Sequence, residues 1–365
     1  MLQRPNAREP GIAAVAPLAA AVQDNCDVAD AGHARELGMC VYLLGMREYF
    51  RWMSDYPLGM APPSERVREW ITCQESRWDT VFDGTDAFAG IPFPDGDVVD
   101  AFDEAEVNRR IGAMGLPERL LYGAGLGRFG VPIFFLAETV REEVRDGIPI
   151  TIVDREWARG FSAPPATSRN GAIQIRRDAF RRWLWTRAEQ QGGLRLDGAT
   201  APPAVPGHGG RVGKAAARAN LIERIVERET ETLILHELGE IRAGAVLGPD
   251  WERMLVQIDD RRTEVILRAV RDLLADCLVT LPELVARGAG ESLAFWRSNF
   301  DGVRKTLAPE LGAASGPDGI RLDAIRSVAD AGADRWGACA QALLACWRDA
   351  GRDGVIGTAR ALLPN

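Results

Sequence analysis

Apolar side chains recur at helical spacing over much of this chain. Leu37, Val41, Leu44 and Trp52 fall on one stripe of a segment that runs from Asp27 to about residue 52. Apolar residues three and four positions apart share one face of a helix, so this segment is predicted to be one long helix.

A second helix is predicted after a break rich in proline and glycine. Ser64 follows Pro62 and Pro63 and is a suitable N-cap. The expected inner face of this helix contains Val67, Trp70, Ile71, Trp78 and Phe82. The first two helices are therefore predicted to form a helical hairpin.

The middle of the chain contains two predicted strands. Residues 83–133 are rich in Gly and Pro, with a helical piece at Glu104 to Met114. Ile148 to Asp154 and Ala172 to Arg176 are rich in β-branched residues, which predicts a small two-stranded ribbon.

The second half is predicted to be a helical bundle. A helix is expected from about Ala215 to Leu247, and a second one after Gly248 and Pro249 that continues to Pro282. Further helices are expected at 291–307 and 322–347. Gly and Pro are dense between 192 and 213, which is typical of a linker. The predicted fold is mainly α, a two-part helical bundle with domains at 1–191 and 214–365.

The charge and composition of the chain restrict the classes of binding partner that we expect. The 52 acidic residues exceed the 44 basic ones, for a net charge of -8, which argues against nucleic acid or an anionic membrane. Gly11 to Val22 weakly resembles a signal peptide, but Glu9 and Pro17 interrupt the pattern. The six scattered cysteines favour a reducing compartment. We therefore expect a cytoplasmic protein without a membrane span, whose partner is a small-molecule substrate or another protein.

The segment around His236 carries the best candidate chemistry. Glu229, His236 and Glu240 fall on the apolar stripe of the predicted 215–247 helix. Ionisable groups on such a face are costly unless they bind a cation, pair with arginines or titrate. We predict that these three residues bind iron, manganese or zinc, with Glu237 as a catalytic base. Position 240 is Glu where the zincin motif has a second His, which excludes a standard zincin.

Two further carboxylates face the predicted core of the first helical hairpin. Glu48 shares the stripe of Leu44 and Trp52, and Glu75 lies between Ile71 and Trp78. They are predicted as catalytic residues that converge above the hairpin turn. The alternative is a set of ion pairs, formed here with arginines such as 47, 51 or 77 and at the His236 segment with Arg242 or Arg262.

Other features have weaker functional readings. By height along the predicted helices, Asp259 is a better partner for His236 than Asp276. The arginines between 176 and 187, mixed with Trp183 and Trp185, fit either an anionic ligand or a solvated amphipathic helix. The glycines at 125, 127 and 130 match a dinucleotide-binding string, but no strand and helix series surrounds them.

The chain also resembles an uncharacterised family of helical bacterial proteins. The resemblance is carried by NCDVADAGHARELGMCVYLLGMREYFRW at 25–52, TCQESRW at 72–78, REWARGFSAPPA at 155–166, AFRRWLW at 179–185, ETLILHELGEIRAG at 231–244 and LLADCLVTLPEL at 273–284. It implies no activity and no functional residues.

The sequence leaves two functional classes open. The first is a metal-dependent enzyme, either a hydrolase or a non-haem oxidase, built on the His/carboxylate segment. The second is a noncatalytic assembly or protein-interaction factor, which docks through the arginine-rich helix or the 192–213 loop.

Overall fold

The computed structural model describes residues 10–81, 87–116, 119–190, 195–196, 199–200, 211–313, 315–316 and 319–363. Phe82 and most of the predicted 192–213 linker lie outside the described residues. The helices are α1 Pro10–Ala34, α2 Met39–Met53, α3 Ser64–Val81, α4 Glu104–Ala113, α5 Arg177–Gln190, α6 Arg211–Leu247, α7 Pro249–Gln257, α8 Arg261–Ala275, α9 Leu281–Ala286, α10 Gly290–Ser298, α11 Gly302–Leu307, α12 Pro309–Ala313 and α13 Leu322–Ala361.

The strands are β1 Ile91–Pro92, β2 Val98–Val99, β3 Leu120–Leu126, β4 Pro132–Arg145, β5 Ile148–Arg159, β6 Ala166–Arg169, β7 Ala172–Arg176, β8 Arg195–Leu196, β9 Ala199–Thr200, β10 Ser315–Gly316 and β11 Gly319–Ile320. A 3₁₀ turn, Arg128–Gly130, precedes β4, and a π-helical turn, Asp276–Thr280, joins α8 to α9.

A five-stranded sheet dominates the first half of the chain. Its strand order is β3-β4-β5-β7-β6, with β5 and β7 parallel and the other pairs antiparallel. The sheet curls into a half-barrel. The predicted mainly α, all-helical bundle with a two-stranded ribbon is therefore wrong, because the two predicted strands are the middle of a larger sheet.

The missed strand β4 has a helix-like composition. Its last ten residues, 136–145, include three Glu and two Arg together with one Leu and one Ala, all of which favour helices. The chain nevertheless forms a hairpin with β5, because Asp146 and Gly147 both adopt positive φ angles, 51° and 80°. Such a pair makes the tight turn that matches the twist of antiparallel strands, so the Asp-Gly dipeptide was the available signal.

Helices cover one face of the half-barrel. Ile173 and Ile175 of β7 are fully buried in a cluster with Ile234 of α6. Val15 and Val22 of α1 pack with residues of β3 and β4. The stretch with a weak signal-peptide pattern is thus a core helix in this fold. No helix in the described part of the chain is long and apolar enough to span a membrane.

A buried carboxylate fastens α1 to the end of β5. Asp30 accepts a hydrogen bond from the Phe161 backbone N–H at 2.6 Å. Burial raises the pKa of Asp30 well above its usual value, against the lowering effect of that hydrogen bond. The folded state therefore keeps a proton that the unfolded chain releases, and this group's contribution to stability falls as the pH rises above the unfolded pKa.

We expect Asp30→Asn to gain stability relative to the wild type as the pH rises from about 4 to 7, by up to about 1.4 kcal/mol per pH unit. Asparagine keeps an acceptor oxygen but does not titrate. Urea unfolding at several pH values measures the effect, with the exposed Asp330→Asn as the control. Parallel stability curves for Asp30→Asn and the wild type would contradict the assignment.

The second half is helical as predicted, but its first hairpin is divided differently. The expected continuous helix from 250 to 282 consists of α7, α8, the π-helical turn and α9. Asp260 caps α8 by accepting the Thr263 N–H at 2.8 Å. A second helical core forms where α8 and α13 pack together, with Leu267, Val270 and Leu344 fully buried.

Candidate metal site

The candidate site lies where α6 and α8 cross in antiparallel directions. A Cβ atom added to Gly239 of α6 would lie 2.6 Å from the backbone oxygen of Ala275 of α8. Only glycine allows such a close approach of the two backbones. Gly239 lies between His236 and Glu240 on α6. The crossing brings these two residues against Asp272 of α8 and Asp276 at the start of the π-helical turn.

His236 is oriented by a buried carboxylate. Its Nδ1 lies 2.8 Å from Oδ1 of Asp276, and Asp276 has no solvent exposure. Arg304 contacts the other oxygen of Asp276 at 3.3 Å. The second ring nitrogen, Nε2, faces Oε1 of Glu240 at 3.6 Å. This is the geometry in which a metal-binding histidine donates one ring N–H to a carboxylate and keeps the other nitrogen for the metal.

Asp272 completes a group of three potential metal ligands. One ligand-type atom from each of His236, Glu240 and Asp272 lies within 4.8 Å of the other two. Asp272 is only 7% exposed, and its Oδ1 atom has no hydrogen-bond partner among the described residues. The other carboxylate oxygen of Glu240 accepts a hydrogen bond from Arg271 at 2.8 Å. One imidazole and two carboxylates suit Mn²⁺, Fe²⁺ or Zn²⁺.

The site holds more negative than positive charge. Four carboxylates, those of Glu237, Glu240, Asp272 and Asp276, face the guanidinium groups of Arg271 and Arg304 and the imidazole. Even with a charged imidazole, the carboxylates exceed the cations by one when all are ionised. A divalent cation would neutralise this excess.

The pKa values of the site respond to this crowding. Burial alone would lower the pKa of His236, but Asp276 and Glu240 outweigh it and raise that pKa well above its usual value. Burial raises the pKa of Asp276, yet His236 and Arg304 bring it below its usual value. Burial, reinforced by Glu240, raises the pKa of Asp272. His236 and Asp272 thus hold protons more tightly than the free side chains do, and metal binding would compete with those protons.

The π-helical turn begins at Asp276 itself. Pro282 has no backbone N–H, so the regular helical pattern is interrupted one turn before it. The Leu281 N–H donates instead to the Asp276 carbonyl, five residues back. π-Helical turns occur frequently at functional sites because they change the direction of the side chains they carry.

The predicted partner of His236 was misplaced along the hairpin. Asp259 is exposed and pairs with Arg352, while Asp272 and Asp276 lie at His236. The prediction assumed that the two antiparallel helices are joined by a turn at Gly248. In the structure, the whole of α7 connects α6 to α8, which shifts the residues that lie opposite His236. Asp272 lies eleven residues after the start of α8, just as His236 lies eleven residues before the end of α6.

Glu229 does not join this cluster. It is fully buried two turns earlier on α6, where it accepts bonds from Arg228 at 2.5 Å, Thr232 at 2.6 Å and Ser292 at 3.2 Å. These partners occupy both carboxylate oxygens, so Glu229 belongs to a separate polar contact between α6 and α10.

The two carboxylates of the first hairpin lie elsewhere and make different contacts. Glu48 pairs with Arg159 of β5, and its other oxygen lies 3.8 Å from Arg182. Glu75 is exposed on α3 and accepts the Tyr42 hydroxyl at 2.7 Å. The structure brings neither of them to His236.

Glu237 is buried beside the cluster and faces the sheet. Its carboxylate is hydrogen-bonded by Ser168 of β6. Burial and the neighbouring Glu240 raise its pKa to about 7. Of the three predicted catalytic residues, Glu237 is therefore the one next to the ligand set, and its role as a base stays a prediction.

Comparison with known proteins assigns a family. A search of curated proteins found no match, and a search of solved structures found none. Two family models match the chain, the N-terminal domain of a family of unknown function (DUF6866) over residues 17–176 and its C-terminal domain over residues 181–363. The first model ends with β7 and the second begins within α5. Because the two models together match most of the sequence, the chain belongs to this uncharacterised family, DUF6866.

Proposed function

We propose that this protein binds a divalent transition metal between α6 and α8, with His236, Glu240 and Asp272 as ligands. The proposal rests on the convergence of three ligand-type atoms, one each from His236, Glu240 and Asp272, within 4.8 Å of one another. The other ring nitrogen of His236 is held by Asp276. The sequence-based ligand set is thus revised, with Asp272 in place of Glu229.

A purely structural ion network is the competing explanation, and Asp272 argues against it. Buried charges are costly unless every polar atom is paired. Glu240 and Asp276 each have an arginine, but Asp272 keeps a buried oxygen without a hydrogen-bond partner among the described residues. A metal ion provides the missing partner and lies next to both remaining ligands.

Three protein ligands leave coordination positions for water or a substrate, as in catalytic rather than structural sites. A bound metal would lower the pKa of such a water. His236 is 23% exposed, so the cluster is reached from solvent. This arrangement favours metal-assisted hydrolysis as the reaction class, with Glu237 as the adjacent proton acceptor.

Metal analysis tests the proposal. Protein purified without chelator is expected to carry about one metal ion per chain, and His236→Ala and Glu240→Ala should lose it. The exposed Glu65→Ala serves as the matched control. A folded wild-type protein that takes up no Mn²⁺, Fe²⁺ or Zn²⁺ would leave the ion network as the explanation of this cluster.

A further inference from the structure

The face of the half-barrel opposite α6 carries polar side chains on β6 and β7. Side chains alternate along a strand, so Gln174 and Arg176 of β7 point away from the face that buries Ile173 and Ile175. Thr167 pairs with Gln174 across the β6–β7 ladder and shares its side of the sheet. This second face is the inner face of the half-barrel.

A side chain connects the two edge strands, β6 and β3, across this inner face. Arg169, at the end of β6, has its guanidinium directly against the backbone of Gly125 on β3. Gly125 has a φ of 153°, in the region that favours glycine, and a Cβ there would collide with Arg169. Arg169 therefore extends from one edge of the sheet to the other.

Arg176 lies on the same inner face. Its guanidinium stacks on the ring of Phe135 at 4.3 Å, and that ring fills the space above Gly123. Gly123 and Gly125 are two residues apart on one face of β3, so the guanidinium groups of Arg176 and Arg169 are neighbours. Arg176 has no solvent exposure.

Both arginines present unused donors. Arg176 donates from Nε to Glu156 at 2.6 Å, but Nη1 and Nη2 have no hydrogen-bond partner among the described residues. Nη1 and Nη2 of Arg169 are buried and equally without a partner there. The nearby Glu104 already accepts bonds from Gln174 at 2.5 Å and from the Ala124 N–H at 3.4 Å.

Such donors are expensive to leave unpaired. A guanidinium does not lose its proton in a protein, so it avoids the cost of burial only by binding an acceptor. Four terminal nitrogens from two neighbouring arginines form a fork that matches the oxygens of a small anion. The remaining arginines of the predicted anionic site, 177, 181, 182 and 187, all have acidic partners.

We propose that the inner face of the half-barrel binds a small oxyanion between Arg169 and Arg176. Arg169 is half-buried as a residue but its terminal nitrogens are buried, and Arg176 forms the closed end. The anion carries a phosphate or carboxylate group, because these present two or more oxygens to paired guanidinium groups. This site is separate from the metal site, which lies beyond the opposite face of the sheet.

Titration calorimetry with inorganic phosphate and with acetate tests the inference, at constant ionic strength set with sodium chloride. We expect saturable binding of about one ion per chain for at least one probe. Arg169→Gln should weaken it by at least tenfold, because it removes a guanidinium that pairs with the anion. Binding of phosphate alone identifies a phosphate site, and binding of acetate alone identifies a carboxylate site.

The matched control is Arg141→Gln, which removes a half-exposed arginine from β4. Arg169 forms no ion pair among the described residues, so its replacement should leave the fold intact, and circular dichroism checks this. Equal affinity in Arg169→Gln and the wild type, or no saturable heat with either probe, would overturn the inference.

Discussion

Asp272→Asn is expected to weaken metal binding by more than about 100-fold, the upper end of what a change in the second coordination sphere costs. Asparagine keeps the size of the side chain but removes the negative charge that the cation requires. Calorimetric titration of chelator-treated protein with Mn²⁺ and Zn²⁺ measures the change. Asp276→Asn, which affects only the orientation of His236, should cost about 10–100-fold.

The same variant separates the metal site from an ion network. Without metal, Asp272→Asn should be at least as stable as the wild type, because it removes a buried carboxylate with an unpartnered oxygen. The exposed Asp259→Asn should change neither property. A strong loss of stability in metal-free Asp272→Asn, with unchanged metal affinity, would identify Asp272 as part of a structural network.

Gly239→Ala is expected to lower the free energy of unfolding by about 1–3 kcal/mol, as overpacking in a core does. The new methyl group would lie 2.6 Å from the Ala275 oxygen, and a backbone atom cannot turn aside as a flexible side chain can. The helices would have to separate, which moves His236 away from Asp272. We therefore expect metal affinity to fall together with stability.

Gly244→Ala is the matched control on the same helix. Nothing lies within 4 Å of a Cβ at Gly244, so alanine should stabilise the protein by about 0.5–1 kcal/mol through its better helix propensity. Chemical unfolding of both variants, followed by calorimetric metal titration, measures the difference. Equal stabilisation by the two substitutions would show that the helices do not need the contact at Gly239.

The α6 half of the proposed metal site could be predicted from sequence, since His236 and Glu240 stand out as ionisable groups on an apolar stripe. The α8 half was not accessible, because the position of Asp272 depends on how the chain turns between the helices. In the sequence, Gly239 is only a residue with low helix propensity inside a predicted helix. The structure shows why glycine is needed there, because the backbone of Ala275 packs directly against it.

The sequence predicted only two of the five strands of the sheet, for a related reason. The strand β4 alternates its side chains between two faces, but its Glu, Ala and Arg content favours a helix when local propensity alone is weighed. Pairing with β3 and β5 decides its conformation, and such nonlocal contacts leave few local marks. The dipeptides Asp146-Gly147 and Asn170-Gly171, with positive φ at all four residues, are the exceptions.

The charged residues show the same limit. Glu48 and Glu229 were both expected from sequence to sit in the core, and both are nearly or completely buried. Their partners, Arg159 and Ser292, are far away in sequence, so the pairing that separates them from His236 appears only in the folded chain. Periodicity indicated the inward positions of Glu48 and Glu229 but not the exposed position of Glu75, and topology determines which of the buried groups meet.

Anomalous diffraction from crystals grown with Mn²⁺ or Zn²⁺ would locate a metal ion bound between α6 and α8. We expect one anomalous peak between Nε2 of His236 and the carboxylates of Glu240 and Asp272, with ligand distances of about 2.0–2.2 Å. The Nδ1 atom should remain bonded to Asp276. A well-ordered cluster without a peak, in protein crystallised with excess metal, would show that these residues do not form a metal site.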